Sequence, residues 1–322
     1  MRQLATILML VLAGTAAASL AQTTDLQTVG ILCHCRSNFP ALQAFEAGLT
    51  ELGWQDSGNI RVVRRTSDGD PARLARYAEE LVGMKSYVIF AGFTPAAIAV
   101  QQHTADIPVV FAGVSDASQI GAASQFNRPE HNFTGLINMN RELMPKRLEI
   151  LKEAIPGLSV VGYLANPNYG LHKPQLQDME AAAKRLGVTL VVAEVSNPAG
   201  LEGTFDQLMA HGAQGVVVQQ DPLFTAQDRR VVALAEAKRL PAIYPLRNYF
   251  EAGGFMWYGA DLVALFHRAA AYVDKILKGA SPAQLPVERP AKLYLTINAK
   301  LAQQLGIEIP PSLLARADEV IE

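Results

Sequence analysis

Apolar and polar positions along this chain follow two rhythms. Thr28-Val29-Gly30-Ile31-Leu32, Tyr87-Val88-Ile89-Phe90-Ala91 and Ile107-Pro108-Val109-Val110-Phe111-Ala112 are short, nearly continuous apolar runs rich in β-branched and aromatic residues. That is the pattern of strands buried on both faces. Between them the spacing changes to three and four. Leu42, Phe45, Leu49 and Leu52 line one face of a helix predicted over 39–52, closed by Gly53, and Leu74, Tyr77 and Leu81 do the same for a helix that Asp70 caps and Pro71 opens. Residues 60–65 alternate as a further strand. The order βαβαβαβ at short spacing predicts a parallel, doubly wound sheet.

The junction at Gly92-Phe93-Thr94-Pro95 organises the chain. Gly92 ends a buried strand, Thr94 is placed to N-cap the next helix, and Pro95 takes the first helical position, where a missing N–H costs nothing. A strand that turns abruptly into a helix leaves free N–H groups and partial positive charge at the sheet's carboxyl edge, a site for a carboxylate or another small anion. Taken alone it is also an ordinary βα turn; its recurrence argues for more. Polar turns follow other strands at Gly113-Val114-Ser115-Asp116, Asn166-Pro167-Asn168-Tyr169-Gly170 and Gln219-Gln220-Asp221-Pro222-Leu223.

After a crossing strand at Phe133-Thr134-Gly135-Leu136 and a helix over 141–154 stopped by Pro156-Gly157, a second βα series begins at Val160. Its helix spans 175–186, its next strands 188–195 and 215–218, and one helix runs on to Arg239. Two wound sheets with polar carboxyl edges predict two lobes facing each other across a ligand cleft. The expected organisation is a leader over 1–21, a first lobe over 28–136 and a second over 137–259. Residues 253–259 read as a strand on the way back to the first lobe, with 260–298 returning to it. A C-terminal helix and tail over 299–322 sit at the hinge or the second lobe.

Composition narrows the function. The 28 Lys and Arg against 30 Asp and Glu give a formal charge of −2, which offers nothing to nucleic acid or acidic lipid. Met1-Arg2-Gln3, an apolar run over 4–12 and Ser19-Leu20-Ala21 before Gln22 form an export signal too short to span a membrane, with no cysteine at the cleavage point to carry a lipid anchor. A soluble periplasmic chain is expected. Its only cysteines, Cys33 and Cys35, flank His34. Three metal-ligating types so close rarely face one ion, which leaves free thiols or a strained, labile disulfide. No Gly-x-Ser-x-Gly elbow or phosphate loop occurs and the six histidines are scattered, so no catalytic constellation, metal or cofactor is expected.

The helix over 262–277 ends in Tyr272-Val273-Asp274-Lys275-Ile276-Leu277-Lys278-Gly279-Ala280, and Leu285-Pro286-Val287-Glu288, Asn298 and Ile309-Pro310-Pro311-Ser312-Leu313-Leu314-Ala315-Arg316-Ala317-Asp318-Glu319-Val320-Ile321-Glu322 follow. Together with Gly48-Leu49, Glu51-Leu52-Gly53-Trp54, Gly69-Asp70-Pro71, Thr94-Pro95-Ala96-Ala97, Thr134-Gly135 and Lys146-Arg147-Leu148-Glu149 these stretches make the chain resemble ABC-transporter substrate-binding proteins of the tryptophan/tyrosine-binding type. The resemblance implies a type I periplasmic-binding-protein fold, three crossovers, and delivery of an aromatic amino acid or related carboxylate to an inner-membrane permease. A monomer is expected. A ligand-sensing module for a membrane receptor, or a periplasmic enzyme, is the alternative.

By that likeness the ligand is met by the loops already named. Thr94, Pro95 and Ser115 fall to its carboxylate, and Asp116 and Asp221 to an ammonium, though each aspartate also suits a cap or turn. Asn166 and Tyr169 would line the second lobe's rim and Tyr258 would stack on a flat ligand, or serve as turn and core. The first loop, Cys33-His34-Cys35-Arg36-Ser37-Asn38, departs from the Pro/Ser-type loop of the family. Ser37 and Arg36 would enter the cleft there, and Arg36 would favour an acidic ligand.

Overall fold

The computed structural model describes residues 26–120 and 132–322; the expected export signal over 1–21 lies outside them. The first lobe is built from β1 (Gln27–Cys33), α1 (Pro40–Glu51), β2 (Ile60–Thr66), α2 (Pro71–Gly83), β3 (Val88–Gly92), α3 (Thr94–Gln101), β4 (Val109–Val114) and β5 (Phe133–Ile137). Its sheet is fully parallel in the order β2-β1-β3-β4-β5. Every residue of β3 and β4 is buried, as the continuous apolar runs require. Asp70 caps α2 by accepting from the Ala72 and Arg73 amides.

The second lobe follows with α4 (Asn140–Ala154), β6 (Val160–Ala165), α5 (His172–Leu186), β7 (Thr189–Glu194), α6 (Leu201–Ala210), β8 (Gly215–Val218), α7 (Pro222–Ala226), α8 (Asp228–Ala237), β9 (Ala242–Tyr244), α9 (Arg247–Glu251) and β10 (Met256–Ala260). The single helix expected up to Arg239 is two, because the chain bends at Gln227 between α7 and α8. The chain ends with α10 (Leu262–Leu277), β11 (Leu293–Asn298), α11 (Ala299–Leu305), α12 (Pro311–Leu314) and β12 (Glu319–Ile321).

The second sheet runs β12-β11-β10-β9-β8-β6-β7, and two expectations are corrected by it. Residues 253–259 do not return to the first lobe: β10 pairs parallel with β9 and antiparallel with β11. Nor does the whole of 260–298 return. The part that does is α10 with the segment through Glu288, which bridges to Leu136 of β5. Helix α10 lays Phe266 against Phe39, Phe90 and Phe93 and packs at Gly48 of α1, where an added Cβ would lie 2.9 Å from the Ala270 Cβ. β11 is in the second sheet because its alternating apolar side, Leu295 and Ile297, finds the second lobe's core. The C-terminal tail also lies in the second lobe, through β12 on β11.

The backbone therefore crosses between lobes three times: after β5, after β10, and between residues 285 and 293. The strand β5 is tied to the third crossing, since the Thr134 hydroxyl donates to the Leu285 carbonyl at 2.7 Å and the Glu288 amide to the Gly135 carbonyl at 2.9 Å. Arg147 of α4 is buried and, among the described residues, has no carboxylate partner. Its guanidinium donates to the Asn140 side-chain oxygen (2.7 Å) and to the Tyr258 carbonyl (2.8 Å), and so joins the start of α4 to β10. Burial lowers its pKa to about 9, which leaves it charged at neutral pH.

Candidate ligand-binding site

The carboxyl edges of both sheets converge on one cavity, lined from both lobes, where open α/β proteins hold small ligands. The first lobe contributes His34, Cys35, Arg36 and Phe39 after β1, Asp68 and Gly69 after β2, Phe93, Thr94 and Pro95 after β3, and Gly113 and Ser115 at the end of β4. The second contributes Tyr169 after β6, and Gln220, Asp221, Pro222, Thr225 and Ala226 after β8. Every one of these loops follows a parallel strand, where open α/β sheets bind ligands.

The β3–α3 junction differs from expectation in one detail. The N-cap is Phe93, in a left-handed conformation (φ 72°, ψ 160°), and Thr94 is the first helical residue. A non-glycine residue held there stores on the order of 1–3 kcal/mol, and such outliers cluster at ligand clamps. The Phe93 ring is held by Phe39 and Phe266, with centroids 5.7 and 5.4 Å away. Thr94 is thereby freed for the cleft. Its hydroxyl accepts from the Ser115 amide at 3.0 Å and also meets the Tyr169 side chain of the other lobe, beside the helix N-terminus.

Asp221 dominates the electrostatics. It is 3% exposed, and its Oδ1 accepts from the Leu223 amide (2.8 Å) and the Asn166 side-chain amide (3.1 Å). It is thus both an N-cap of α7 and a wall of the cavity. Among the described residues no Lys or Arg pairs with it. Burial raises its pKa to about 6, the two hydrogen bonds only partly offsetting the loss of water. Under it, Gln219 holds the loops together. Its side chain accepts from the Asn166 amide (2.8 Å) and donates to the Tyr163 hydroxyl (3.1 Å) and the Gln175 oxygen (2.8 Å).

Of the residues singled out from sequence, Thr94, Pro95, Ser115, Tyr169, Asp221 and Arg36 line this cavity together. Asn166 lies on the wider groove that adjoins it and positions Asp221. Three others are not brought in. The Asp116 carboxylate accepts from the Ser118 amide and pairs with Arg141 at 3.1 Å, and Arg141 also holds Asp178, so Asp116 is used in a bridge between lobes. Ser37 is exposed beyond the lining. Tyr258 packs on the second lobe's apolar core. Sequence reasoning passed over His34, Phe39, Phe93 and Gln220 as wall residues. The signal for the first two was present, since they follow the carboxyl end of β1.

The lobes touch across the cleft. The Ser115 and Tyr169 hydroxyls are 3.3 Å apart, the Asn138 amide donates to the Gln220 oxygen at 3.3 Å, and Arg36 reaches Asp228 at 3.4 Å. The Arg36 side chain is 46% exposed, so this pair contributes only about 0–1 kcal/mol. Arg36→Ala is expected to weaken ligand binding less than threefold, an effect that fades at high salt. A loss beyond tenfold would place Arg36 on the ligand. Cys33 and Cys35 form a disulfide, and the His34 imidazole turns to Ser67, so the three do not converge on one ion.

Two lobes, three crossings and a cavity between carboxyl edges define a type I periplasmic-binding-protein fold. Comparison with known proteins agrees. The family model described as "ABC transporter substrate binding protein" matches residues 30–321, and the chain belongs to that family. It is 23% identical over 268 residues to a tyrosine-binding protein of Clostridioides difficile, covering 83% of this chain and 77% of the relative. Among solved structures it is similar to an ABC domain from Streptococcus pneumoniae in complex with L-Trp (26% identity, TM-score 0.82, covering 92% of this chain and 100% of that one). It is equally similar to a conserved domain protein of Vibrio cholerae (26%, TM-score 0.82, covering 91% and 99%). Solute binding is therefore this chain's function, and delivery to an ABC permease is what the family implies. Among the described residues no helix is long and apolar enough to cross a membrane.

Proposed function

We propose that the cleft binds an aromatic amino acid or a closely related zwitterion and that the chain presents it to an inner-membrane ABC permease from the periplasm. It does so as a monomer, without nucleic acid, cofactor or catalysis. One observation carries the reading: Asp221 is a carboxylate buried in the cavity wall with no Lys or Arg partner among the described residues, and a ligand ammonium supplies a cation. The ligand carboxylate goes to the first lobe, to the Thr94 and Ser115 hydroxyls beside the α3 N-terminus. Phe39, Phe93, Pro95, Pro222 and Ala226 supply the apolar surface for the side chain. Both the tyrosine-binding relative and the L-Trp-bound structure support this ligand class.

Binding is two-state. The ligand docks on one lobe, the crossings flex, and contacts from the other lobe hold the closed form that the permease recognises. The test is a thermal-shift screen of the chain from Gln22 onward against amino acids, aromatic acids without an amino group, dicarboxylates and nucleosides. A ligand that binds only the folded state raises the melting temperature by mass action, by about 2.7 kcal/mol of stabilisation at a hundred times Kd. Aromatic amino acids are expected to shift it and the deaminated acids are not. An equal response to both would remove the ammonium from the argument.

A further inference from the structure

The loop after β1 places one imidazole in the cavity wall. His34 is 7% exposed, and its Nδ1 lies 2.6 Å from the Ser67 hydroxyl, itself fully buried at the end of β2. The Ser67 hydroxyl has no other hydrogen-bond partner among the described residues. If Nδ1–H donated to it, the serine proton would be left buried without an acceptor; if serine donates to Nδ1, every proton is used. The network thus assigns the tautomer with the proton on Nε2. Among the described residues that nitrogen has no hydrogen-bond partner, and it belongs to a side chain that lines the cavity.

The surroundings decide what this N–H reads. Arg36 is engaged by Asp228, Tyr169 by Ser115, and the amino-acid end of a ligand is met by Asp221, Thr94 and Ser115. The same wall carries Phe39 and Phe93, edge-to-face. A bare hydrocarbon ring seated there would leave the N–H buried and unpaired, a cost on the order of 1–3 kcal/mol. A side chain carrying an oxygen acceptor would not.

We propose that His34 is the residue by which the cleft selects, among aromatic amino acids, a ligand whose ring carries a hydrogen-bond acceptor such as a phenolic hydroxyl. The proposal rests on the amino-acid reading given above. Ser67 is a positioning residue, holding the imidazole so that its donor faces the ligand. The site stays a neutral donor over the ordinary pH range, since burial lowers the His34 pKa to about 4 against a smaller opposing pull from Asp70.

The experiment is calorimetric titration of the mature chain with L-tyrosine and with L-phenylalanine, for wild type, His34→Leu, His34→Gln and Ser67→Ala. Wild type is expected to favour L-tyrosine at least tenfold. His34→Leu should bring the ratio to within twofold, with L-phenylalanine gaining affinity because the unpaired donor is gone. His34→Gln, which keeps an amide donor near the Nε2 position, should recover part of the preference, and Ser67→Ala should retain it in part. Using the ratio within each variant cancels any general loss of stability. Equal binding of both ligands by wild type, or a ratio unchanged in His34→Leu, overturns the assignment while leaving the amino-acid reading intact. An equal loss for both ligands would place His34 at their shared end and likewise overturn it. Silence of wild type toward both overturns this inference together with the reading beneath it.

Discussion

Asp221→Asn is expected to weaken binding of the ligand a hundredfold or more while making the empty protein more stable. The two effects have one cause. Asparagine is the same size, and its oxygen can still accept from the Leu223 amide and the Asn166 side chain, so the cap of α7 survives. The other carboxylate oxygen becomes an NH₂ group. It then presents a donor to the ligand ammonium, and truncating one side of a buried charged pair typically costs about 2–5 kcal/mol. In the empty cleft the same change removes a charge that burial disfavours. A pKa raised from 3.8 to about 6 corresponds to roughly 3 kcal/mol at pH 7, and a gain of about 1–3 kcal/mol is expected once the new amide's own burial is counted.

The pH dependence follows with its sign. The folded-state pKa of Asp221 lies above the unfolded value, so its contribution to stability is present below about pH 4 and lost as pH rises through about 6. Ligand binding runs the other way, because the ammonium needs the carboxylate. Affinity should be flat above pH 7 and fall about tenfold by pH 5, with proton release on binding near pH 6. In Asp221→Asn the profile should be level. Calorimetry in buffers of different ionisation enthalpy, beside thermal melts of the empty protein, measures both. Affinity within threefold of wild type would reduce Asp221 to a helix cap.

Gly135→Ala is expected to cost 4 kcal/mol or more, enough to deplete folded protein. The position has φ 148° and stands opposite Phe111 in the β4–β5 ladder. A Cβ there would lie 2.0 Å from the Phe111 carbonyl oxygen and 2.7 Å from its nitrogen. Both are backbone atoms of a buried strand, with no rotamer to give way. The collision can be relieved only by pulling β5 off the sheet, which also breaks its bonds to Leu285 and Glu288 at the third crossing. Denaturant melts should show the loss, and residual folded protein should bind ligand poorly because the hinge is displaced. A change below 1 kcal/mol would mean that β5 tolerates a shift and does not anchor the crossing.

Much of the architecture is decided locally and is legible in the chain. Continuous apolar runs, three-and-four spacing, Asp70-Pro71, Asp221-Pro222 and the Gly stops act through neighbours a few residues away, so β1 to β5 and their helices follow from pattern alone. The same logic points to the carboxyl-edge loops, and with them to Thr94, Ser115, Tyr169 and Asp221. What the pattern does not contain is partner choice. An apolar strand such as β11 can complete either sheet, and it joins β10 because the second lobe offers the open edge and core. Lys146-Arg147 reads as two charges on a helix surface, yet Lys146 faces solvent and pairs with Glu149 while Arg147 is buried. Asp116 and Asp221 look alike in sequence, each a carboxylate at a strand end. Tertiary structure brings Arg141 to the first and, among the described residues, no Lys or Arg to the second, and that difference in charge environment makes one a strut between lobes and leaves the other an unpaired carboxylate in the cavity wall.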